Sequence, residues 1–361
     1  MRAAVLRRVG EPLELIDLDL DPPGEHQVRV RLAASGVCHS DLSVQNGSLP
    51  YPMPTVLGHE GAGVVTEVGR GVTRVSPGDH VILTWVPPCR TCTWCLAGQP
   101  SLCAKGMGEA MSAPYATLDG ERVWPGLCTA TFAEHTQVME RALVAIDPDV
   151  PFDIAALIGC AVSTGVGAVV NTARVAPGAT VAVVGCGGVG LCTVQGARLA
   201  GASRIVAVDR VASKLELAEQ AGATAVVDAS AGDPVAAVRA RTGGLGVDHA
   251  FEVVGLSATI KQAFAMTRRG GTVTLVGAGR ADDPVIFNAM ELFVDAKAIL
   301  GCVYGATDPD RDFPRLIDLE RAGRLELGRL ITRRIPLGDV NDAFAAMAAG
   351  EVARSVIVHD G

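Results

Sequence analysis

Nowhere do the 361 residues hold a lysine–arginine cluster, and the net charge is -8, from 31 basic and 39 acidic side chains. Phosphate contact needs a basic surface, so a duplex nucleic-acid binder is excluded. A signal peptide is also missing: residues 1–20 alternate charged and apolar residues instead of forming one apolar stretch. The most apolar region, 155–170, is interrupted by Cys160, Ser163 and Thr164 and reads as too short to span a bilayer. Internal repeats and low-complexity linkers are lacking as well. These absences predict a cytoplasmic protein with neither a nucleic-acid nor a membrane partner.

What is present points to two domains, the number this length predicts. Apolar residues make up 49% and charged residues 19%, and there are 42 glycines and ten cysteines. In a large cytosolic chain, cysteines bind metal or serve chemistry more often than they form disulfides. Up to about residue 155, short β-rich runs (27–32, 63–68, 80–83) are separated by turns rich in Pro, Gly and Asp. This texture predicts an irregular, barrel-like β domain. From about residue 175 strands alternate with helices: strands at 180–185, 204–209, 225–228, 247–254 and 272–277, with helices at 188–200 and 213–221. The second helix carries a capping-box pattern, Ser213 to Glu216. Such alternation predicts a doubly wound parallel sheet, an α/β fold of the Rossmann kind. A helix at 313–322 and a strand at 355–359 are expected to return to the first domain.

The strand at 180–185 runs into Gly185-Cys-Gly187-Gly188-Val189-Gly190 and then a helix. In this G-x-G-x-x-G pattern the glycines permit a tight turn, and the helix N-terminus can approach a pyrophosphate. Asp209, at the end of the following strand, is placed to bind both hydroxyls of an adenosine ribose. Its charge would repel a 2′-phosphate, which favours NAD over NADP; Arg210, next along, pulls the other way.

Two sets of cysteines stand out. Cys89, Cys92, Cys95 and Cys103 place four soft thiols within one short stretch, the composition of a closed tetrahedral zinc site. An iron–sulfur cluster is the rival reading, and the acidic charge disfavours a nucleic-acid zinc ribbon. The second set is scattered: Cys38 beside His39, Ser40 and Asp41; His59 and Glu60 between glycines; Cys160 in an apolar stretch. Spacing alone leaves these open, because a lone Cys is commonly a small buried hydrophobe.

The paired motifs Gly58-His59-Glu60-x2-Gly63-x5-Gly69 and Gly185-x-Gly187-x2-Gly190, with the four-cysteine stretch between them, resemble those of zinc-containing alcohol dehydrogenases. The resemblance is to the medium-chain dehydrogenase/reductase superfamily, in its longer, liver-type branch, and covers the whole chain. It implies a GroES-like β-barrel catalytic domain (1–161 and 304–361, with a zinc lobe at 89–103) and an NAD-binding Rossmann domain (162–303). It implies two zinc ions per chain, a structural one on Cys89, Cys92, Cys95 and Cys103. The catalytic one would be held by Cys38, His59 and Cys160, with the fourth position left for water or substrate. Zinc there would lower the alcohol pKa, and hydride would pass to a nicotinamide near Val189 and Thr164. Ser40 would take the alcohol proton, Asp41 would accept the other N–H of His59, and Glu60 would sit behind the metal. His39 and Arg354 would contact the pyrophosphate and Lys214 the adenosine ribose. One departure stands out: Ser43 occupies the position where family members often carry the histidine that ends the proton relay.

Trp85, Leu49 and Ala278 fall at positions that line the substrate pocket in the family, so primary aliphatic or benzyl-type alcohols are expected, interconverted with aldehydes. A thiol-linked formaldehyde dehydrogenase, using glutathione or mycothiol, is the alternative; apolar Leu49 disfavours the glutathione form. A non-enzymatic zinc protein would require loss of a ligand or of the glycine turn, and neither is lost. The branch implies a homodimer, with a homotetramer as the alternative. Cys128, Cys186, Cys192 and Cys302 are read as packing residues.

Overall fold

The structure, a computed structural model, describes residues 1–113 and 115–359. The chain forms two compact units. The first comprises Met1–Ala161, Asp308–Arg321 and Leu327–Gly361; the second comprises Val162–Thr307 and Ala322–Glu326.

The first unit is organised around the strand Gln27–Val37. Its even-numbered residues Val28, Val30, Leu32 and Ala34 are buried, as the two-residue period of a strand requires. With Val65, Val81 and Leu83 from neighbouring strands, Val28, Val30 and Leu32 form one core cluster, in which each buried Val or Leu contributes about 1.5–3 kcal/mol. Gln27–Val37 pairs antiparallel with Glu60–Val68, His135–Met139 and Ser355–Val358, and Glu60–Val68 pairs onward with His80–Leu83. The sequence reading ended the first of these strands at 32 and began the second at 63. The observed strands run further, to Val37 and back to Glu60, across two irregularities in their pairing. Those extra residues deliver Cys38 and His59 to neighbouring strand ends. Gly36 lies opposite Glu60, and a Cβ on it would sit 2.0 Å from the Glu60 carboxylate, so a side chain there would push that carboxylate out of place.

The second unit holds six parallel strands: Thr180–Val184, Arg204–Asp209, Ala225–Asp228, Val247–Glu252, Thr267–Leu275 and Ala298–Gly301. Across the sheet their order is third, second, first, fourth, fifth, sixth. The doubly wound α/β class expected from the sequence is therefore observed. Its core is aliphatic: Ala182, Val184, Val206, Val208, Val247 and Val273 meet Val238, Phe264 and Met266.

Three details correct the sequence reading. The capping box is not formed: the helix runs Ala212–Ala221 with Val211 at its N-cap and no side-chain cap. The Asp209 carboxylate takes over that entry, accepting the N–H groups of Arg210 and Val211. The late helix begins earlier than 313, at Pro309, because proline suits the first helical position and Asp312 accepts the N–H of Asp308. The apolar region read as 155–170 belongs to a longer helical run, Phe152–Thr172, of 21 residues and mean hydropathy 1.8. By length and composition that run could cross a membrane, but 83% of its most apolar window is buried inside the protein, as in a core helix.

Candidate active site and dinucleotide turn

In the first unit the scattered residues converge. Single ligand atoms of Cys38, His59, Glu60 and Cys160 all lie within 4.8 Å of one another, and all four residues are buried. Each arrives by a different route. Cys38 directly follows the long strand and stands at the N-cap position of the helix His39–Gln45. His59 and Glu60 open the neighbouring strand. Cys160 lies in the π-helical stretch Ile158–Val162, an irregularity often found at functional sites.

Asp41 is fully buried on the helix after Cys38. Its Oδ1 accepts the Gly58 N–H at 2.9 Å and faces His59 Nδ1 at 3.1 Å. That contact leaves Nε2 as the imidazole nitrogen available to the sulfurs. Behind the cluster, the Arg354 guanidinium lies 3.2 Å from Glu60 and donates to the Val37 carbonyl at 3.0 Å. Ser40 Oγ is 3.9 Å from Cys38 Sγ. Trp85 stands edge-on to His59, ring centroids 6.3 Å apart. Leu49 packs partly buried against the apolar cluster around Val44 and Leu57, and Ser43 is partly buried on the Ser40 helix. His39 is exposed.

The electrostatics suit a cation held by these side chains. Burial pushes the Glu60 carboxyl up to about 8, against the pull of Arg354. Hydrogen bonding from Cys160 holds the Cys38 thiol well below its usual range, and the same contact, with burial, drives Cys160 up. Burial opposes a charge on His59, yet Asp41 and Cys38 together raise its pKa. Among the described residues neither Glu60 oxygen accepts a hydrogen bond, and Arg354 meets it only as an ion pair. Two thiols, an imidazole and a nearby carboxylate, buried with so few donors, fit a zinc ion well.

The four-cysteine lobe has a different character. Its sulfurs also lie within 4.8 Å of one another, but three of the four residues are only partly buried. Backbone N–H groups of Cys89 and Gly106 point at Cys103 Sγ, at 3.2 and 3.3 Å, and that of Cys92 at Cys89 Sγ, at 3.3 Å. Turns that aim amides at sulfur stabilise thiolates, which fits a closed tetrahedral zinc site. Arg90, inside the lobe, makes a two-pronged contact with Asp308 at 2.9 and 2.6 Å and reaches Asp310 at 2.7 Å.

In the second unit Gly185 has φ of +96°, a left-handed conformation that glycine adopts without strain. A Cβ on Gly190 would lie 1.9 Å from the Gly185 carbonyl, so that position needs glycine for close approach. Gly187 caps the helix Gly188–Leu199, which carries Gly188 and Val189 in its first turn. Asp209 Oδ2 accepts the Cys186 N–H at 2.7 Å, which fixes the carboxylate beside the glycine turn. Thr164, buried in the helix Ser163–Gly167, is followed by Gly165, whose Cβ would meet the Val189 carbonyl at 2.5 Å. Lys214 is partly buried on the next helix, and Ala278 is exposed just after the fifth strand.

Two features escaped the sequence reading. Gly58 carbonyl accepts the Thr131 N–H at 3.0 Å and the Thr129 hydroxyl at 3.3 Å, so this pair braces the His59 turn. The same segment carries three left-handed non-glycine residues, Leu127, Cys128 and Ala130, with φ of 45°, 68° and 49°. Glu252, fully buried at the end of the fourth strand, is the other. Neither belongs to a spacing motif; both act through backbone contacts that only the fold creates.

Residues 24–148 match the alcohol dehydrogenase GroES-like domain family, and residues 188–321 match the zinc-binding dehydrogenase family. An S-(hydroxymethyl)glutathione dehydrogenase of Synechocystis sp. is 38% identical over 366 residues, covering 99% of each chain. An NDMA-dependent alcohol dehydrogenase of Amycolatopsis methanolica is 37% identical over 368 residues, 99% of this chain and 98% of that one. The crystal structure of benzyl alcohol dehydrogenase from Acinetobacter calcoaceticus superposes with a TM-score of 0.92 at 33% identity, covering 99% of both chains. The protein is thus an oxidoreductase. It belongs to the zinc-containing alcohol dehydrogenases of the medium-chain dehydrogenase/reductase superfamily.

Proposed function

We propose that the protein oxidises primary aliphatic and benzyl-type alcohols to aldehydes with NAD, reversibly. The first unit acts as catalytic domain and the second binds NAD. Cys38, His59 and Cys160 hold a catalytic zinc, and Cys89, Cys92, Cys95 and Cys103 a structural one. The observation that carries this reading is the buried convergence of two thiols and an Asp41-oriented imidazole.

Zinc held there supplies a Lewis acid that makes an alcohol easier to deprotonate, and NAD supplies the hydride acceptor. The chain's own residues do the rest. Asp41 fixes the His59 ring and tautomer, a contact that also makes the imidazole a better ligand. Ser40, on the turn after Cys38, receives the alcohol proton. Ser43 lies further along the same helix, and proton transfer beyond Ser40 runs through water or through Ser43. Glu60 balances Arg354 behind the cluster. In the first unit His39 and Arg354 are assigned to the pyrophosphate; within the second unit Thr164, Val189, the glycine turn and Lys214 are assigned to the cofactor. Asp209, held by three backbone N–H groups, presents a rigid carboxylate to the ribose hydroxyls, which supports NAD over NADP.

Trp85, edge-on to His59, crowds the space beside the reacting carbon, with Leu49 as a further lining residue of the first unit. A secondary alcohol must place a second carbon there, and such overpacking costs about 1–3 kcal/mol. Primary alcohols are therefore preferred in kcat/KM over matched secondary ones, and Trp85→Ala narrows the ratio. A preference for the secondary alcohol, or an unchanged ratio in Trp85→Ala, rejects this gate.

A thiol-linked reading is favoured by the relative named S-(hydroxymethyl)glutathione dehydrogenase. Against the glutathione form stands apolar Leu49. The same panel extended to the S-hydroxymethyl adducts of glutathione and mycothiol separates the two. A homodimer is supported by the sheet edge at Ala298–Gly301, near exposed Met290 and Phe293 on the helix Ala289–Asp295. We place the enzyme in the cytoplasm.

A further inference from the structure

Glu252 is a buried carboxylic acid that the reaction does not use. It lies directly across from Val184, the residue before the glycine turn. The strand order reverses between these two strands, and open α/β sheets bind ligands in the crevice at such a switch point. One oxygen, Oε1, accepts three hydrogen bonds: from the N–H groups of Val254 and Gly255, each at 2.9 Å, and from the Thr259 hydroxyl at 2.7 Å. The carboxyl thereby bends the chain back on itself immediately after the strand. The turn so formed meets the glycine turn, since a Cβ on Gly185 would lie 2.7 Å from Val254 Cγ2. On its other side stands residue 277, where a Cβ would lie 2.3 Å from the Gly255 nitrogen. The other oxygen, Oε2, is buried without a hydrogen-bond partner among the described residues. An uncompensated polar atom of that kind is costly, and burial also pushes the carboxyl above its ordinary pKa. The triple acceptor is what the cost supports.

We propose that Glu252 is a positioning residue for the dinucleotide: by clamping residues 253–259 it builds the wall of the crevice that faces the glycine turn. The proposal rests on the reading that this crevice takes NAD, and the test separates the two. NADH fluorescence is titrated against the zinc-loaded enzyme and its Glu252→Ala, Glu252→Gln and Thr259→Val variants, with metal content and Tm measured in parallel. An unaltered enzyme that fails to bind NADH rejects the NAD reading itself. Given binding, Glu252→Ala is expected to raise the Kd about tenfold, with kcat at saturating NAD within about threefold and both metals retained. Glu252→Gln keeps an acceptor at Oε1 and should stay within about threefold of the unaltered protein, and Thr259→Val should weaken binding by about threefold. A folded Glu252→Ala protein with unchanged Kd, or Glu252→Gln as weak as Glu252→Ala, overturns the proposal. Should Glu252→Ala not fold, Thr259→Val decides: an unchanged Kd overturns the proposal and a rise supports it.

Discussion

The two cysteine sites of the first unit use similar atoms under opposite conditions. In the lobe, four sulfurs come from one stretch, three of the residues are partly exposed, and backbone amides supply the polarity around them. In the other site, Cys38, His59 and Cys160 come from distant parts of the chain and are buried, and Asp41 orients the imidazole. A local site is organised by its own turns and serves to hold them. A site assembled across strands needs the fold first, and can leave a coordination position open because the fold, rather than the ion, keeps its ligands in place.

The sharpest way to break this contrast is to delete one proposed zinc ligand from each site. His59→Ala should lose one of two zinc ions and lower kcat/KM by at least about a thousandfold, close to 4 kcal/mol, with Tm almost unchanged. Metal analysis beside a thermal melt checks it; a large fall in Tm would mean that the buried ion also supports the fold. Cys103→Ala, at the buried sulfur of the lobe, should lose the other ion and about 3 kcal/mol of stability in urea, while freshly prepared protein keeps its kcat within about threefold. Equal catalytic loss in both variants would erase the distinction.

The buried site can then be resolved internally. Ser40→Ala should lower alcohol oxidation by about a hundredfold or more with zinc retained, and Ser43→Ala by less than about threefold. Comparable losses would place Ser43 in the proton path.

The smallest effect tests the same rule away from any metal. Asp248 ties its strand to both neighbours in the sheet, accepting the Thr180 N–H and hydroxyl at 2.7 Å and Arg268 at 2.6 Å. Despite partial burial, which acts to raise it, these donors hold its pKa down to about 2. Since this lies below the unfolded value, Asp248 stabilises the fold above about pH 4, and that contribution disappears as pH falls toward 2. Allowing for solvent screening, Asp248→Asn should cost about 1 kcal/mol at pH 7. The gap should close near pH 2, and urea midpoints across that range would show it. A gap independent of pH would count against the carboxylate.

Sequence alone determined the features whose physics is local. The glycine turn is legible because tight turns and close approach demand glycine at fixed offsets, and Asp209 because it ends the strand that follows the helix opened by that turn. The lobe is legible because its four cysteines are neighbours. The β-to-α/β change of rhythm is legible because burial periods differ between the two units. The family resemblance carried the reading of Cys38, His59 and Cys160 further than spacing could. What remained was decided by tertiary structure. The strands had to extend to Val37 and Glu60 before Cys38 and His59 could meet, and the resulting cross-strand register set Gly36 against the Glu60 carboxylate. Asp209 displaced the capping box that Ser213 and Glu216 suggested, because its carboxylate reached the amides of Arg210 and Val211 first. Thr129, Thr131 and Glu252 matter through hydrogen bonds to or from backbone groups, and such groups look the same in every residue until folding brings them together.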